Sequence, residues 1–168
     1  MDTRVCLRAD GVAIVLVNED GGLPSVLHWG ADPGPLTDDD VAALSVAARW
    51  GVAPNGPDTG MVLGIVPEGR FGWSGTPGLI GSRDGADWSP AWTLIGASID
   101  GAPLGDDLVD AGAGVVEYRA EAPASGLALT IVVEMRATGL VRAKAEVTNL
   151  GETTYRVDEL TVNLTVPR

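Results

Sequence analysis

The residues best suited to chemistry lie in a stretch rich in glycine and proline between residues 50 and 90. Four of its side chains combine flat apolar rings with polar groups: Arg70, Trp73, Ser74 and Trp88. An aromatic ring offers a platform for the C–H face of a sugar, while polar neighbours hydrogen-bond its hydroxyls. Long ordered loops are usually functional, and this density of aromatic residues argues against disorder. These four residues are therefore candidate substrate-binding residues. The alternative, slightly favoured for any single tryptophan, is that the ring packs a minor core under the loop.

Other kinds of site find little support in the sequence. His28 is the only histidine and no serine-elbow signature is present, so we expect it to make a structural hydrogen bond rather than serve a Ser-His-Asp triad. Cys6 is the only cysteine, which leaves too few ligands for a zinc site and predicts a buried thiol in its apolar run. The 23 acidic residues are too many for a glycosidase pair to be selected from sequence. We expect no catalytic residue, metal or cofactor in this chain.

Charge and the N-terminus limit the possible partners. The chain carries 11 Lys and Arg against 23 Asp and Glu, a net charge of -12. Such a field repels nucleic acid and anionic membranes, so neither is expected as a partner. Residues 1–4 lead directly into a strand pattern without the basic start and apolar core of a signal peptide, which predicts a cytoplasmic location.

The elements that must position the loop are predicted to be strands. Asp-Gly pairs at residues 10–11 and 100–101 separate apolar runs and predict hairpins. Apolar residues alternate along 127–135 and 141–147, which is typical of half-buried antiparallel strands. A change of alternation near Asp158-Glu159 predicts a bulge. Many short strands with regular turns indicate one all-β domain over residues 1–168, folded as a sandwich or a barrel.

One short helix is predicted after the long N-terminal strands. Thr37 can cap it, residues 38–40 are aspartates that suit its positive N-terminal end, and Val41, Leu44 and Ala48 fall on one face. The pattern favours only a turn or two.

Several segments together resemble the N-terminal domain of glycoside hydrolase family 36, the α-galactosidase and raffinose synthase family. The run 25–32 (S-V-L-H-W-G-A-D) is similar to the family's L-x-H/Y-W-G segment, and residues 67–69 with 73–79 (P-E-G and W-S-G-T-P-G-L) are similar to its glycine-rich loop. Residues 83–85 (R-D-G) and 87–90 (D-W-S-P) continue in register, and 146–151 (E-V-T-N-L-G) resembles its v-x-N-x-G strand and turn. The segments occur in the family's order.

The resemblance implies a β-supersandwich with no catalytic residue of its own. The (β/α)8 barrel would follow in the same polypeptide and would carry both catalytic aspartates of a retaining α-galactosidase. The domain would support that barrel, help to assemble a homo-oligomer, and bring its loop near the pocket for the α-galactoside substrate. This chain departs from the family's D-F-R-x-P pattern, because Trp73 and Gly75 stand at the Asp and Arg positions. Stacking by Trp73 in place of the lost polar contacts is a hypothesis.

Two other functions remain open at this point. A stand-alone carbohydrate-binding module would bind sugar through the tryptophan loop without a barrel. A structural oligomerisation domain would associate with itself and bind no sugar.

Overall fold

The structure, a computed structural model, describes residues 2–48, 63–69 and 73–165. Arg70, one of the four candidate substrate-binding residues, lies outside the described residues. The described part of the chain contains eleven strands and one α-helix. The strands are β1 (Thr3–Ala9), β2 (Val12–Asn18), β3 (Ser25–Ala31), β4 (Leu79–Ser82), β5 (Thr93–Ile99), β6 (Ala102–Pro103), β7 (Leu108–Ala111), β8 (Gly114–Ala122), β9 (Leu127–Met135), β10 (Val141–Asn149) and β11 (Arg156–Leu160). The helix, α1, is Asp38–Ala48.

Both predicted Asp-Gly hairpins are confirmed. Asp10 and Gly11 join β1 to β2 with φ angles of 49° and 76°, and Asp100 and Gly101 join β5 to β6 with φ angles of 47° and 83°. Positive φ at both central residues gives the turn a twist that matches its flanking strands, and glycine and aspartate are among the residues that adopt it.

The described strands form two large sheets and a two-stranded ribbon. The four-stranded sheet, called the smaller sheet below, has the order β3-β2-β1-β7. The five-stranded sheet, called the larger sheet, has the order β10-β9-β8-β5-β6, and β11 pairs with β4. The prediction of antiparallel strands is wrong for one pair, because β7 runs parallel to β1 with Leu108 opposite Arg4. Parallel neighbours require a long crossover, and the local alternation of residues does not reveal it.

A forked ion pair holds this parallel edge in place. The Arg8 guanidinium on β1 donates to both carboxylate oxygens of Asp110 on β7, from Nε at 2.6 Å and from Nη2 at 2.8 Å. Its Nη1 also donates to Asp32 just after β3. Arg8, on β1, therefore links the neighbouring strand β7 to the end of β3, which lies on the far side of β2.

The main core lies between the two large sheets, which confirms an all-β sandwich. The larger sheet contributes inward side chains with the period of two expected for strands, and β9 alternates buried and half-buried residues along its whole length. The core side chains include Val5, Leu7, Ile14 and Leu16 from the smaller sheet, and Val116, Tyr118, Leu129, Ile131 and Val133 from the larger sheet. Trp92, which is 1% exposed, packs in the same core.

Helix α1 covers the outer face of the smaller sheet. Thr37 and Asp40 form a reciprocal cap, in which Asp40 N donates to Thr37 Oγ1 at 3.2 Å and Thr37 N donates to Asp40 Oδ2 at 2.9 Å. Val41 is buried in a second apolar cluster and Leu44 packs at its side. Ala48 is exposed, so its predicted place on the buried face is wrong. The helix has eleven residues, so the prediction of only a turn or two is wrong.

The sequence does not predict that β4 pairs with β11, although it does predict a bulge near Asp158. The register shifts between Val157 and Glu159, which confirms the predicted bulge. The strand β4 is four residues long and lies in the glycine-rich stretch, where alternation is too short to be recognised. Among the described residues, no helix has the length and apolarity needed to cross a membrane.

Candidate functional site

Two described parts of the glycine-rich stretch are hydrogen-bonded to each other, and one of them is also bonded to the segment before β3. Gly78 N donates to the Pro67 carbonyl at 2.8 Å, and Ile65 N donates to the Pro24 carbonyl at 2.8 Å. A Cβ on Gly78 would lie 2.9 Å from the backbone nitrogen of Pro67, so the two backbone segments approach more closely than any residue with a Cβ would allow. Pro67 and Gly78 therefore lie side by side on the sandwich.

Glu68 is a buried acid beside this junction. Its side chain is largely buried, and its Oε1 accepts a hydrogen bond from Trp92 N at 3.3 Å. The P-E-G segment singled out in the sequence thus contacts the core through the backbone of a buried tryptophan.

Trp73 is folded back on its own loop. Its indole Nε1 donates to the Thr76 carbonyl at 2.9 Å, and the side chain is half-buried. A Cβ on Gly75 would lie 2.4 Å from Trp73 Cζ2, so the ring occupies the space of a side chain at residue 75. Trp73 and Gly75 are therefore coupled in space, because a side chain at residue 75 would force the ring to move.

Trp88 differs from Trp73 because its side chain projects into solvent. It is 71% exposed, the most exposed of the large apolar side chains in the described residues. Ser74 is also exposed. The structure thus gives the three described candidates different settings, and no hydrogen bond or ion pair among the described residues joins Trp73 to Trp88.

A tight turn after β4 leads to Trp88. Arg83 N donates to the Ala86 carbonyl and Ala86 N donates to the Arg83 carbonyl, each at 2.9 Å. Asp84 and Gly85 occupy the turn with φ angles of 51° and 82°. Asp87 follows with a φ of 57°, a left-handed conformation that is uncommon outside glycine and asparagine or aspartate.

Asp87 is anchored from two directions. Its Oδ2 lies 3.5 Å from Arg83 Nε, and its carbonyl accepts a hydrogen bond from the Tyr155 hydroxyl at 3.0 Å. Burial raises the pKa of Tyr155 above its ordinary value, so the phenol keeps the proton that it donates. The residue before the exposed indole is therefore fixed at its side chain and at its backbone.

A shallow concavity of about 390 Å³ lies beside this turn. Its lining includes Arg83, Asp87, Ser125, Gly151 and Thr153. The lining also includes Pro123 and Ala124, so it mixes polar and apolar groups. The described residues contain no cluster of three or more His, Cys, Asp and Glu side chains arranged to hold a metal.

His28 makes the structural contact predicted for it. Its Nε2 lies 3.0 Å from the Ala31 carbonyl, three residues along the same edge strand. Cys6 is fully buried on the helix-covered face of the smaller sheet, as its apolar run predicted.

The sequence does not predict the contact between the segment that contains Arg83 and the segment that contains Asn149. The segments containing Arg83 and Asn149 were noted separately, yet Arg83 Nη2 donates to Asn149 Oδ1 at 2.9 Å. Each segment places a glycine two residues after its polar residue, at Gly85 and Gly151, but this signal marks only a local turn. The 66-residue separation left their pairing invisible.

The fold and the loop define a β-sandwich domain that presents an exposed aromatic side chain on an anchored turn. The family model of the glycosyl hydrolase family 36 N-terminal domain matches residues 22–168. The chain therefore belongs to this family. No curated protein and no solved structure matches the chain.

Proposed function

We propose that this chain is the non-catalytic N-terminal domain of a retaining α-galactosidase. In this role it supports the (β/α)8 barrel of the same polypeptide, takes part in a homo-oligomer, and places its loop beside the sugar pocket. The family match over residues 22–168 carries the proposal. Retaining glycosidases use two carboxyl groups about 5–5.5 Å apart, and the proposal assigns both to the barrel.

Within this proposal, Trp88 is the main sugar-contacting side chain of the domain. Its ring is exposed on an anchored turn, so it can stack on a sugar without first leaving a packed position. Ser74 supplies an exposed hydroxyl, and Arg70 remains a candidate outside the described residues. Trp73 already uses its N–H within the loop, so only part of its ring is left for stacking.

The first experiment is to read the gene beyond the codon for Arg168 and to assay the protein that the gene encodes. The proposal expects a following barrel sequence and hydrolysis of p-nitrophenyl α-galactoside with retention at the anomeric carbon, followed by NMR. Activity on β-galactosides alone, or inversion, would refute the α-retaining assignment. A stop codon after Arg168 would refute the enzyme-domain role.

The sugar contact has its own test in the same protein. We expect Trp88→Ala to lower kcat/KM for p-nitrophenyl α-galactoside on the order of tenfold, mainly through KM. Ile95→Ala is the matched control, because Ile95 is also exposed, at 56%, but lies on β5 of the larger sheet. Equal kcat/KM for Trp88→Ala and wild type would remove Trp88 from the sugar pocket.

One observation favours a second function, a stand-alone carbohydrate-binding module. An exposed tryptophan on a fixed turn is the kind of platform that such a module presents. Binding of residues 1–168 to a glycan array would support the module, and this binding would be lost in Trp88→Ala. Self-association without glycan binding would instead favour the structural oligomerisation domain.

A further inference from the structure

The guanidinium of Arg83 connects its own turn to two other segments of the chain. Its Nη1 donates to the carbonyl of Thr153 and, at 2.9 Å, to the Thr153 hydroxyl. Its Nη2 donates to the Ser125 carbonyl at 3.1 Å and to Asn149 Oδ1 at 2.9 Å. The side chain is only 16% exposed. A planar fork with several fixed donors makes this arrangement, and a lysine ammonium cannot reproduce it.

The partners of Arg83 are themselves fixed. Asn149 Oδ1 also accepts from Gly151 N at 3.1 Å, and Asn149 Nδ2 donates to the Thr153 carbonyl at 2.8 Å. Leu150 N donates to the Gly126 carbonyl at 2.8 Å, which ties the same turn to the short 3-10 turn Pro123–Ser125. The guanidinium therefore sits in a frame built from two loops that are hydrogen-bonded to each other.

This frame reaches Trp88 through Asp87. Arg83 Nε faces the Asp87 carboxylate, and the Arg83 guanidinium carbon lies 5.7 Å from the centre of the Tyr155 ring. Tyr155 in turn holds the Asp87 carbonyl. Arg83 and Tyr155 thus act on opposite ends of the residue whose left-handed backbone directs Trp88 outward.

We infer that Arg83, supported by Tyr155, is a positioning residue that fixes Trp88 for contact with the α-galactoside. The inference rests on the proposed function, which supplies the sugar contact of Trp88. Stacking depends on the height and tilt of the ring, and a displacement near 1 Å at a binding group can cost a large factor in rate. Holding the ring in place before binding also removes the entropy cost of ordering it in the complex.

A double-mutant cycle in the protein that the gene encodes tests this inference. We expect Arg83→Lys and Tyr155→Phe each to lower kcat/KM for p-nitrophenyl α-galactoside several-fold, through KM rather than kcat. In a Trp88→Ala background the same substitutions are expected to have little further effect, since the group they position is gone. Arg119→Lys is the control, because Arg119 is an exposed arginine on the larger sheet with a side chain 62% exposed.

The outcomes separate the inference from the proposed function. Equal losses in both backgrounds would reduce Arg83 and Tyr155 to a purely structural role and overturn the inference. Full activity of both variants, alongside a clear loss in Trp88→Ala, would also overturn it and leave the sugar contact standing. Full activity of Trp88→Ala would overturn the sugar contact, and with it the role assigned to Arg83. Tyr155→Phe retains the ring, so the test survives if Arg83→Lys fails to fold.

A measurement without sugar checks the positioning step by itself. In protein labelled with 5-fluorotryptophan, the fluorine signal assigned by Trp88→Phe is expected to be a single line in wild type. We expect that line to shift or to split in Arg83→Lys and Tyr155→Phe, and to stay unchanged in Arg119→Lys. An unchanged Trp88 line in both variants would overturn the inference, whatever the enzyme assay gives.

Discussion

Gly151 places its backbone directly against the guanidinium of Arg83, so that a Cβ at residue 151 would lie 2.9 Å from Arg83 Nη2. Although an arginine end is usually free to move aside, this one is hydrogen-bonded to Thr153, Ser125 and Asn149. The glycine of the N-x-G segment is therefore needed for space.

This contact between Gly151 and Arg83 predicts that Gly151→Ala destabilises the fold. The added methyl must displace the guanidinium from its frame, and we expect a loss of about 1–3 kcal/mol in the free energy of unfolding. Urea denaturation followed by circular dichroism measures it. Gly105→Ala is the matched control, since nothing lies within 4 Å of its Cβ position. Similar stabilities of the two variants would mean that the Arg83 guanidinium moves aside without a measurable loss of stability.

The same substitution at two tyrosines is expected to act in opposite directions. The Tyr118 hydroxyl is buried beside Thr3, whose own hydroxyl donates to Asn18, and it has no hydrogen-bond partner at good geometry in the described part of the chain. Burial also raises the pKa of Tyr118. We expect Tyr118→Phe to raise stability by up to about 1 kcal/mol, because it removes an unsatisfied polar group. Tyr155→Phe, which breaks the bond to Asp87, is expected to lower it by about 1 kcal/mol.

Thermal and urea unfolding of both tyrosine variants check this pair of predictions. A loss of stability in Tyr118→Phe would show that its hydroxyl has a partner, such as a bound water. The two variants serve as controls for each other, since each removes one oxygen from one tyrosine.

The buried thiol of Cys6 is expected to make the free energy of unfolding fall at alkaline pH. Burial raises the pKa of its thiol to about 11, from 9.0 for an exposed thiol. The unfolded chain therefore loses this proton at lower pH than the folded chain, so the stabilising contribution is present below pH 9 and is lost as the pH rises towards 11. The expected loss is on the order of 2 kcal/mol.

The free energy of unfolding of wild type and Cys6→Ala, measured from pH 8 to 11, isolates this effect. The alanine variant carries a constant cavity cost, so the difference between the two proteins reports the thiol alone. The difference is expected to shrink above pH 9, and a constant difference would contradict the prediction. The native thiol is also expected to react with Ellman's reagent only on unfolding.

Gly75 is expected to control the position of Trp73. Since a Cβ on Gly75 would overlap the indole at 2.4 Å, Gly75→Ala should turn the ring out of its half-buried position. We expect stronger quenching of tryptophan fluorescence by acrylamide in Gly75→Ala, and no such increase when Trp73 is also changed to Phe. Gly69→Ala is the control, because its Cβ position is open. Equal quenching of Gly75→Ala and wild type would mean that the ring adapts without leaving.

The sequence by itself determined the elements whose signals are local. The alternation along β9 and β10, the Asp-Gly hairpins, the Thr37 cap and the bulge near Asp158 all depend on neighbours a few residues apart. Period-two burial and turn geometry are written into such short stretches, so they can be read without the fold. The family resemblance also followed from the sequence, because it depends on the order of short segments.

Only the tertiary structure decided which distant residues meet. It placed β7 parallel to β1 and joined Arg83 to Asn149. It also separated two tryptophans that the sequence treated alike: Trp73 folds onto Gly75, whereas Trp88 projects from a turn held by Tyr155. Exposure and long-range pairing depend on how whole sheets pack, and residues 66 or more positions apart carry no local signal of that packing.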